Sequence, residues 1–161
     1  MKKNLLAVVF DCMIFLQGLI KKRGAAVECL EAFENGDVKL FVSEEILREI
    51  GDVLTRPKLQ AKFSLLTAER VEKLLLTLRQ KAVLVKNVSS LFNYSRNPKD
   101  EKYINLAVEA QADYIVSRDR DLLDLMTDFT DEAKEFRQRF RSLKVIEPKE
   151  FLQIIETREQ K

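Results

Sequence analysis

A continuous apolar run near the start of the chain limits what this sequence can fold into. Residues 5–10 carry only apolar side chains, among them the β-branched Val8 and Val9. This pattern is typical of a strand that is buried on both faces of a parallel sheet. The run ends on Asp11. It predicts the first strand of an α/β fold, with an acid at its carboxyl end.

Predicted strands and helices alternate along the remaining sequence. Further strands are predicted at 38–42, 82–88, 114–117 and 144–146. Helices are predicted from 25 to 34, after the N-caps Ser43 and Thr67, over 100–110, over 131–143 and from Pro148. Because 161 residues suit one domain and no linker or repeat interrupts the pattern, we expect a single domain over 1–161.

The chain contains no histidine, and this excludes catalytic triads, imidazole bases and most zinc sites. Chemistry must therefore use carboxylates, lysines, hydroxyls or the two thiols. Cys12 and Cys29 form no Cys-x-x-Cys pair, so we interpret them as reduced core residues of a cytoplasmic protein. Four glycines without a Gly-x-Gly-x-x-Gly pattern argue against a dinucleotide-binding module.

The start of the chain resembles a signal peptide only superficially. Lys2 and Lys3 precede the apolar run, but Asp11 interrupts it, and residues 5–20 are too few to cross a bilayer comfortably. We therefore expect no targeting segment and no membrane partner. The net charge of +2, from 28 basic and 26 acidic residues, neither requires nor excludes a nucleic-acid partner.

Several acids stand where an open parallel sheet places its functional groups. Asp11 follows the first strand, Asp119 and Asp121 follow the fourth, and Asp100 begins the helix that leads into the fourth strand. Ligands of such sheets bind at the carboxyl ends of the strands. Each acid also has an ordinary interpretation, since carboxylates are common in strand-end loops and at helix starts.

Glu49 is the acid on the helix after Ser43 that is best placed to reach inward. At about 100° per residue it lies roughly 100° from the centre of the apolar stripe, near Ile50. Glu44 and Glu45 lie further round the helix. A solvated position at the flank of the helix is the alternative for Glu49.

Four segments, taken together and in this order, resemble the PIN domain. They are VVFDCMIF, SEEILREIGDVLTRPKL, NPKDEKYINLAVEAQADYIVSRDRDLL and KVIEPKEFL. The sequence is most similar to stand-alone bacterial PIN proteins classed as toxin components of toxin–antitoxin pairs, the VapC-like ribonucleases. The resemblance implies a three-layer α/β/α fold with a parallel sheet. It also implies metal-dependent cleavage of RNA, here single-stranded RNA, and an antitoxin protein as a possible partner; a homodimer is a further possibility.

The resemblance also assigns roles to residues of this chain. It makes Asp11, Glu49, Asp100 and Asp119 the catalytic, metal-binding acids, with Asp121 as an accessory metal-binding acid and Ser117 as a nearby hydroxyl. Clustered carboxylates repel one another unless a cation is present, and oxygen ligands suit Mg²⁺ or Mn²⁺. Two such ions about 3.5–4 Å apart can drive in-line attack on a phosphodiester.

The sequence departs from the family pattern close to these acids. The family usually has a hydroxyl residue and then a polar residue after the first Asp, whereas this chain has Cys12 and Met13. A thioether is a poor hydrogen-bond partner, so Asp11 is expected to lose a supporting contact and activity to fall by about 10–100-fold. Asn97 stands where many relatives have an acid, and the segment 131–143 is longer than in compact relatives.

Basic residues suggest contacts with RNA phosphates. The candidates are Lys21, Lys22 and Arg23, together with Arg118 and Arg120. A further group consists of Lys134, Arg137, Arg139, Arg141 and Lys144, which an ordinary solvated helix face explains equally well because acids are interspersed.

Two other functions compete with a nuclease. A phosphotransferase that uses Asp11 as nucleophile would need an Asp at position 13, where this chain has Met13. The stronger rival is a catalytically weak or inactive PIN-like domain that binds RNA or a protein. Met13 favours this rival, whereas the retained acids favour an enzyme.

Overall fold

Five parallel strands form the central sheet of the computed structural model, which describes residues 4–159. The strands are β1 (Leu6–Phe10), β2 (Val38–Val42), β3 (Val83–Leu84), β4 (Tyr114–Val116) and β5 (Lys144–Ile146). The helices are α1 (Cys12–Ile20), α2 (Ala25–Glu34), α3 (Glu44–Leu54), α4 (Pro57–Lys62), α5 (Ala68–Lys81), α6 (Glu101–Glu109), α7 (Arg120–Leu123), α8 (Asp131–Arg139) and α9 (Pro148–Glu159). Helices cover both faces of the sheet, which confirms the predicted three-layer α/β/α fold.

The strand order β3-β2-β1-β4-β5 places β1 at the centre of the sheet. Val8 is in register with Leu40 of β2 on one side and with Tyr114 of β4 on the other. All pairings are parallel, so the carboxyl ends of the strands lie along one edge. Asp11 therefore emerges at the same edge as the residues that follow β4. No helix within residues 4–159 is long and apolar enough to cross a membrane.

Most predicted elements are confirmed, including two helix caps. Ser43 Oγ accepts a hydrogen bond from Ile46 N at 3.2 Å, and Thr67 Oγ1 accepts one from Arg70 N at the same distance. The predicted third strand, 82–88, is too long, because only Val83 and Leu84 pair with β2 before the chain leaves the sheet.

Three helices are absent from the sequence prediction: α1, α4 and α7. Helix α1 is buried on most of its circumference, so its apolar residues show no helical stripe. Helices α4 and α7 have six and four residues, which is too short for a periodic pattern to stand out. The helix predicted over 131–143 ends earlier, at Arg139.

The polar segment 89–97 is fixed to the body of the protein despite its lack of regular structure. Phe92 is buried and packs edge-on against Phe136 of α8, with ring centroids 5.8 Å apart. On the other side, Asn105 Oδ1 of α6 accepts hydrogen bonds from the backbone nitrogens of Leu91 and Phe92, both at 2.9 Å. These anchors position the end of the segment, which carries Arg96 and Asn97.

Helix α1 packs against α2 closely enough to require a glycine. A Cβ atom at Gly18 would clash with the side chain of Leu30, including Cγ at 2.9 Å. We expect Gly18→Ala to lower the free energy of unfolding by about 1–3 kcal/mol, although alanine favours helix by about 1 kcal/mol. Chemical denaturation measures the change.

Gly51 of α3 provides the matched control. A Cβ atom there would meet only Leu75 Cδ1 at 3.8 Å, an ordinary contact. Gly51→Ala should therefore leave the stability unchanged or raise it by up to about 1 kcal/mol. Equal effects of the two substitutions would contradict the proposed close packing of α1 on α2.

Candidate functional site

Ser117 joins the ends of the two central strands. Asp11 follows β1 and caps α1, with Oδ1 accepting a hydrogen bond from Ile14 N at 3.1 Å. Its Oδ2 accepts a hydrogen bond from the hydroxyl of Ser117, which follows β4 and is fully buried. Ser117 Oγ in turn accepts one from Asp119 N at 2.9 Å. The hydroxyl therefore orients both an acid at the end of β1 and the backbone after β4.

Three further acids form a compact group beside Asp11. Carboxylate oxygens of Asp100, Asp119 and Asp121 all lie within 4.8 Å of one another. Asp119 caps α7, where its Oδ1 accepts a hydrogen bond from Asp121 N at 2.9 Å. Asp100 ends a 3₁₀ turn, Pro98–Asp100, at the start of α6. Together with Asp11, these acids come from two strand ends and one helix start that are far apart in sequence.

The environment makes the charged forms of two of these acids costly. Burial, followed by the negative charges of Asp119, Asp11 and Asp121, raises the pKa of Asp100 to about 7. Burial also raises the pKa of Asp11 to about 6, although the hydrogen bonds from Ser117 and Ile14 favour its ionised form. Such a group favours a bound cation, since a cation offsets both the desolvation and the repulsion.

Asn97 connects two members of the group. Its Nδ2 donates hydrogen bonds to Asp100 Oδ2 at 3.0 Å and to Asp121 Oδ2 at 3.1 Å. In the sequence, this residue stands out only as the loss of an acid. The structure shows that the amide supplies a donor between two carboxylates while adding no negative charge to the group.

Arg96 is a residue that the sequence prediction missed. Its guanidinium contacts the carboxylates of Asp121 and Asp124 at 2.7 Å each and that of Asp128 at 3.0 Å. The bonds to Asp124 and, to a smaller extent, Asp121 raise the pKa of Arg96. The recurrence of acids at 121, 124 and 128 was the available signal, but their cationic partner lies 25 residues before Asp121.

Glu49 lies at the same end of the sheet but has a fixed cationic partner. Lys102 Nζ lies 2.6 Å from Glu49 Oε2, and the hydroxyl of Tyr103 donates to Oε1. The Tyr103 hydroxyl also accepts a hydrogen bond from Cys12 N at 3.1 Å. These contacts connect Glu49 with the residue after Asp11. The sequence prediction missed Lys102 and Tyr103, although both closely follow Asp100.

The remaining predicted residues lie at different distances from the acids. Arg118 and Arg120 flank Asp119; Arg118 Nη1 donates to Gln17 Oε1 at 2.9 Å, and Arg120 forms an ion pair with Asp124 at 3.0 Å. Residues 21–23, which are Lys21, Lys22 and Arg23, are exposed but follow the far end of α1, about 13 Å along its axis from Asp11. The side chain of Met13 is 45% exposed. Cys12 and Cys29 are buried free thiols, as expected.

The donor set fits a divalent cation. Asp100, Asp119 and Asp121 offer only carboxylate oxygens, which are ligands suited to Mg²⁺ or Mn²⁺. Burial first, and repulsion between carboxylates second, raise the pKa values of Asp100 and Asp11, and a bound cation would offset both costs. The residues present therefore fit such an ion.

A parallel sheet between two layers of helices, with carboxylates clustered at the carboxyl ends of its central strands, defines this protein as an α/β/α domain with an acidic site. The family it corresponds to is the PIN domain, whose pattern matches residues 7–121, and this chain belongs to that family. PIN domains are typically metal-dependent nucleases. A protein of Methanocaldococcus jannaschii, the uncharacterized protein MJ1680, is 32% identical over 156 residues, which covers 97% of this chain and 96% of the relative.

The raised pKa of Asp100 predicts that this acid lowers the stability of the folded protein by an amount that depends on pH. Between its ordinary pKa of 3.8 and its folded-state pKa of about 7, the folded protein retains a proton that the unfolded chain has released. Stability contributed by the acid therefore falls as the pH rises through this window. In metal-free protein, Asp100→Asn should become progressively more stable than wild type from about pH 4 to pH 7, by about 1–4 kcal/mol.

Denaturation of both proteins at several pH values in EDTA measures this difference. Addition of Mn²⁺ at pH 8 should reverse the order, because wild type gains more stability from the ion than the variant does. Asp52→Asn, at an exposed acid of α3, is the control and should show no such pH-dependent difference. A constant difference between Asp100→Asn and wild type across this range would contradict the prediction.

Proposed function

We propose that this protein is a metal-dependent endoribonuclease that cleaves single-stranded RNA. In this proposal Asp11, Glu49, Asp100 and Asp119 are the catalytic acids, Asp121 is an accessory ligand, and the ion is Mg²⁺ or Mn²⁺. The observation that carries the proposal is the convergence of Asp100, Asp119 and Asp121 within 4.8 Å, at the carboxyl end of the sheet in a chain that belongs to the PIN family.

The protein's own groups would bind the ion and orient the reacting atoms. Asp100 and Asp119 would hold it, while Ser117 and Asn97 keep their neighbouring carboxylates in fixed orientations. A bound divalent ion would polarise a phosphate oxygen and lower the pKa of water. Hydrolysis adds water across one P–O bond, leaving a phosphate monoester and a free hydroxyl.

Fixed cations at the rim would help an anionic substrate approach the acids. Arg96 partly neutralises Asp121, and Lys102 partly neutralises Glu49. Without these partners, the acids would repel the phosphodiester more strongly. Arg118 and Arg120, which flank Asp119, are placed to contact neighbouring phosphates of the RNA.

A more specific role belongs to the same proposal. The resemblance to VapC-like ribonucleases supports a cytoplasmic toxin, with residues 1–161 as a single PIN-like domain and an antitoxin protein as its partner. A homodimer is part of this proposal as well. Co-expression with the product of a neighbouring gene, followed by an RNA-cleavage assay, tests it; an antitoxin should bind the protein and suppress cleavage.

A weak or inactive domain that binds RNA or a protein is the second candidate. Two observations favour it: Met13 replaces a polar residue of the family, and the Lys102–Glu49 pair occupies one catalytic acid. The two candidates differ in their response to metal. A nuclease site should raise the melting temperature when Mn²⁺ is added, and Asp11→Asn should remove this shift.

Neutralising Asp119 should abolish cleavage. Asp119→Asn removes one charge from the group and should lower the rate of Mg²⁺- or Mn²⁺-dependent cleavage of a mixed single-stranded RNA by about 100-fold or more. Gel analysis of the products with and without EDTA measures the effect, and Asp52→Asn again serves as the exposed-acid control. Equal cleavage by all proteins, with or without EDTA, would indicate a contaminating nuclease.

Restoring a polar residue beside Asp11 should strengthen metal binding. If Met13 replaces a group that orients Asp11, Met13→Asn should increase Mn²⁺ affinity by about 10-fold or more, measured by calorimetric titration. Because Met13 is 45% exposed, its replacement by an amide should cost little stability. Met13→Leu is the apolar control. If Met13→Asn binds Mn²⁺ no better than wild type, Met13 is not a lost orienting position.

A further inference from the structure

A basic pocket lies where helix α8 meets the start of β5. The cavity has a volume of about 400 Å³ and is lined by Lys134, Arg137, Gln138, Arg141 and Lys144. No carboxylate is among its lining residues. Lys144 starts β5, whereas the acid cluster follows the carboxyl ends of β1 and β4. The pocket is therefore separate from the acid cluster.

The cations of this pocket lack acidic partners. Among residues 4–159, Lys134, Arg141 and Lys144 have no carboxylate oxygen within 4.0 Å. Elsewhere, Arg96 and Arg139 form ion pairs with acids. Grouped like charges repel one another, and an anion bound between them would relieve this repulsion. The pocket thus has the charge that complements a chain of phosphates.

An exposed aromatic residue, Phe129, directly follows Asp128, whose carbonyl is bound by Arg137 of this pocket. Phe129 is 83% exposed, yet its neighbours in sequence are fixed. Asp128 is held through its carboxylate by Arg96 at 3.0 Å and through its carbonyl by Arg137 at 2.7 Å. Thr130 caps α8 by accepting a hydrogen bond from Ala133 N at 3.2 Å. The backbone is therefore held in place on both sides of Phe129, whose ring is exposed to solvent.

Hydrogen bonds connect the acid cluster with the pocket through Asp128, the residue before Phe129. Arg96 contacts both Asp121 of the cluster and Asp128, the residue before Phe129. Arg137 lines the pocket and also binds the carbonyl of Asp128. The family match ends at residue 121, so the ring and the pocket lie outside it.

We propose that Phe129 and the basic pocket form a binding tract for single-stranded RNA that leads away from the acid cluster. A base stacks on Phe129, and phosphates contact Lys134, Arg141 and Lys144. The tract rests on the proposed nuclease function and assigns a role to the segment 131–143. A single strand fits better than a duplex, because its unpaired bases are free to stack on an aromatic ring.

The ring is tested by RNA binding in EDTA, where metal-dependent cleavage is suppressed. The probe is a fluorescein-labelled, unstructured RNA of about 12 nucleotides, followed by fluorescence anisotropy. Phe129→Ala should weaken binding by roughly 5- to 150-fold, whereas Phe129→Trp should retain it. An abasic strand of equal length should bind wild type and Phe129→Ala equally. Leu76→Ala, at an apolar residue of α5 that is 57% exposed, is the control and should change nothing.

The pocket is tested by the salt dependence of the same binding reaction. The triple variant Lys134→Gln, Arg141→Gln and Lys144→Gln should reduce the slope of log affinity against log salt by about 2, as expected for three lost phosphate contacts. The control variant replaces Lys58, Lys73 and Lys86 by Gln. These three lysines are all exposed, and the control makes the same change in net charge. Its slope should remain that of wild type, and circular dichroism confirms that every variant is folded.

A separate cleavage assay distinguishes failure of the tract from failure of the nuclease proposal. Wild type that cleaves RNA, combined with tract variants that bind the probe like wild type, would overturn the tract alone. Reduced binding by the tract variants, combined with no metal-dependent cleavage by wild type, would support the tract and overturn the nuclease. A wild type that does not bind the probe would overturn the tract, as would equal losses in the two triple variants.

Discussion

The burial of Asp11 and Asp100, together with the repulsion between neighbouring carboxylates, is the constraint on which the rest of the site depends. The parallel sheet brings acids from two strand ends together, and burial with mutual repulsion raises the pKa of Asp100 to about 7. The surrounding structure offsets this cost with hydrogen-bond donors and a positive charge, and the acids remain close together. Asn97 and Ser117 donate to the acids, and Arg96 supplies a positive charge at Asp121. The cost of burial and repulsion that remains is what makes the group of acids suitable for a divalent ion.

The precision of these contacts comes from packing outside the site. Arg96 and Asn97 belong to an irregular segment, which would be mobile if nothing held it. Phe92 anchors this segment in the aromatic packing against α8, and Asn105 binds its backbone from α6. Helix α8 thereby supports the acid site from one side, while its residues Lys134, Arg137 and Gln138 line part of the basic pocket. Helix α8 therefore contributes both to the acid site and to the proposed binding tract for RNA.

Much of the architecture could be predicted because it depends on local patterns. The apolar run at 5–10 predicts a buried central strand, and Ser43 is recognisable in the sequence as the N-cap of α3. Helix α1 could not be predicted in this way, since it is apolar on most sides and lacks an amphipathic stripe. The contacts of Arg96 and Lys102 escaped prediction because they join residues distant in sequence, for which charge alone suggests no partner.

The sequence by itself determined the α/β class and the carboxylate chemistry, since periodicity sets the elements and the absence of histidine restricts the groups that can react. Only the tertiary structure decided how those acids are arranged. It grouped Asp100, Asp119 and Asp121 within 4.8 Å, and it paired Glu49 with Lys102. The physical reason is that strand register and helix packing determine which side chains meet, and both depend on contacts between distant parts of the chain.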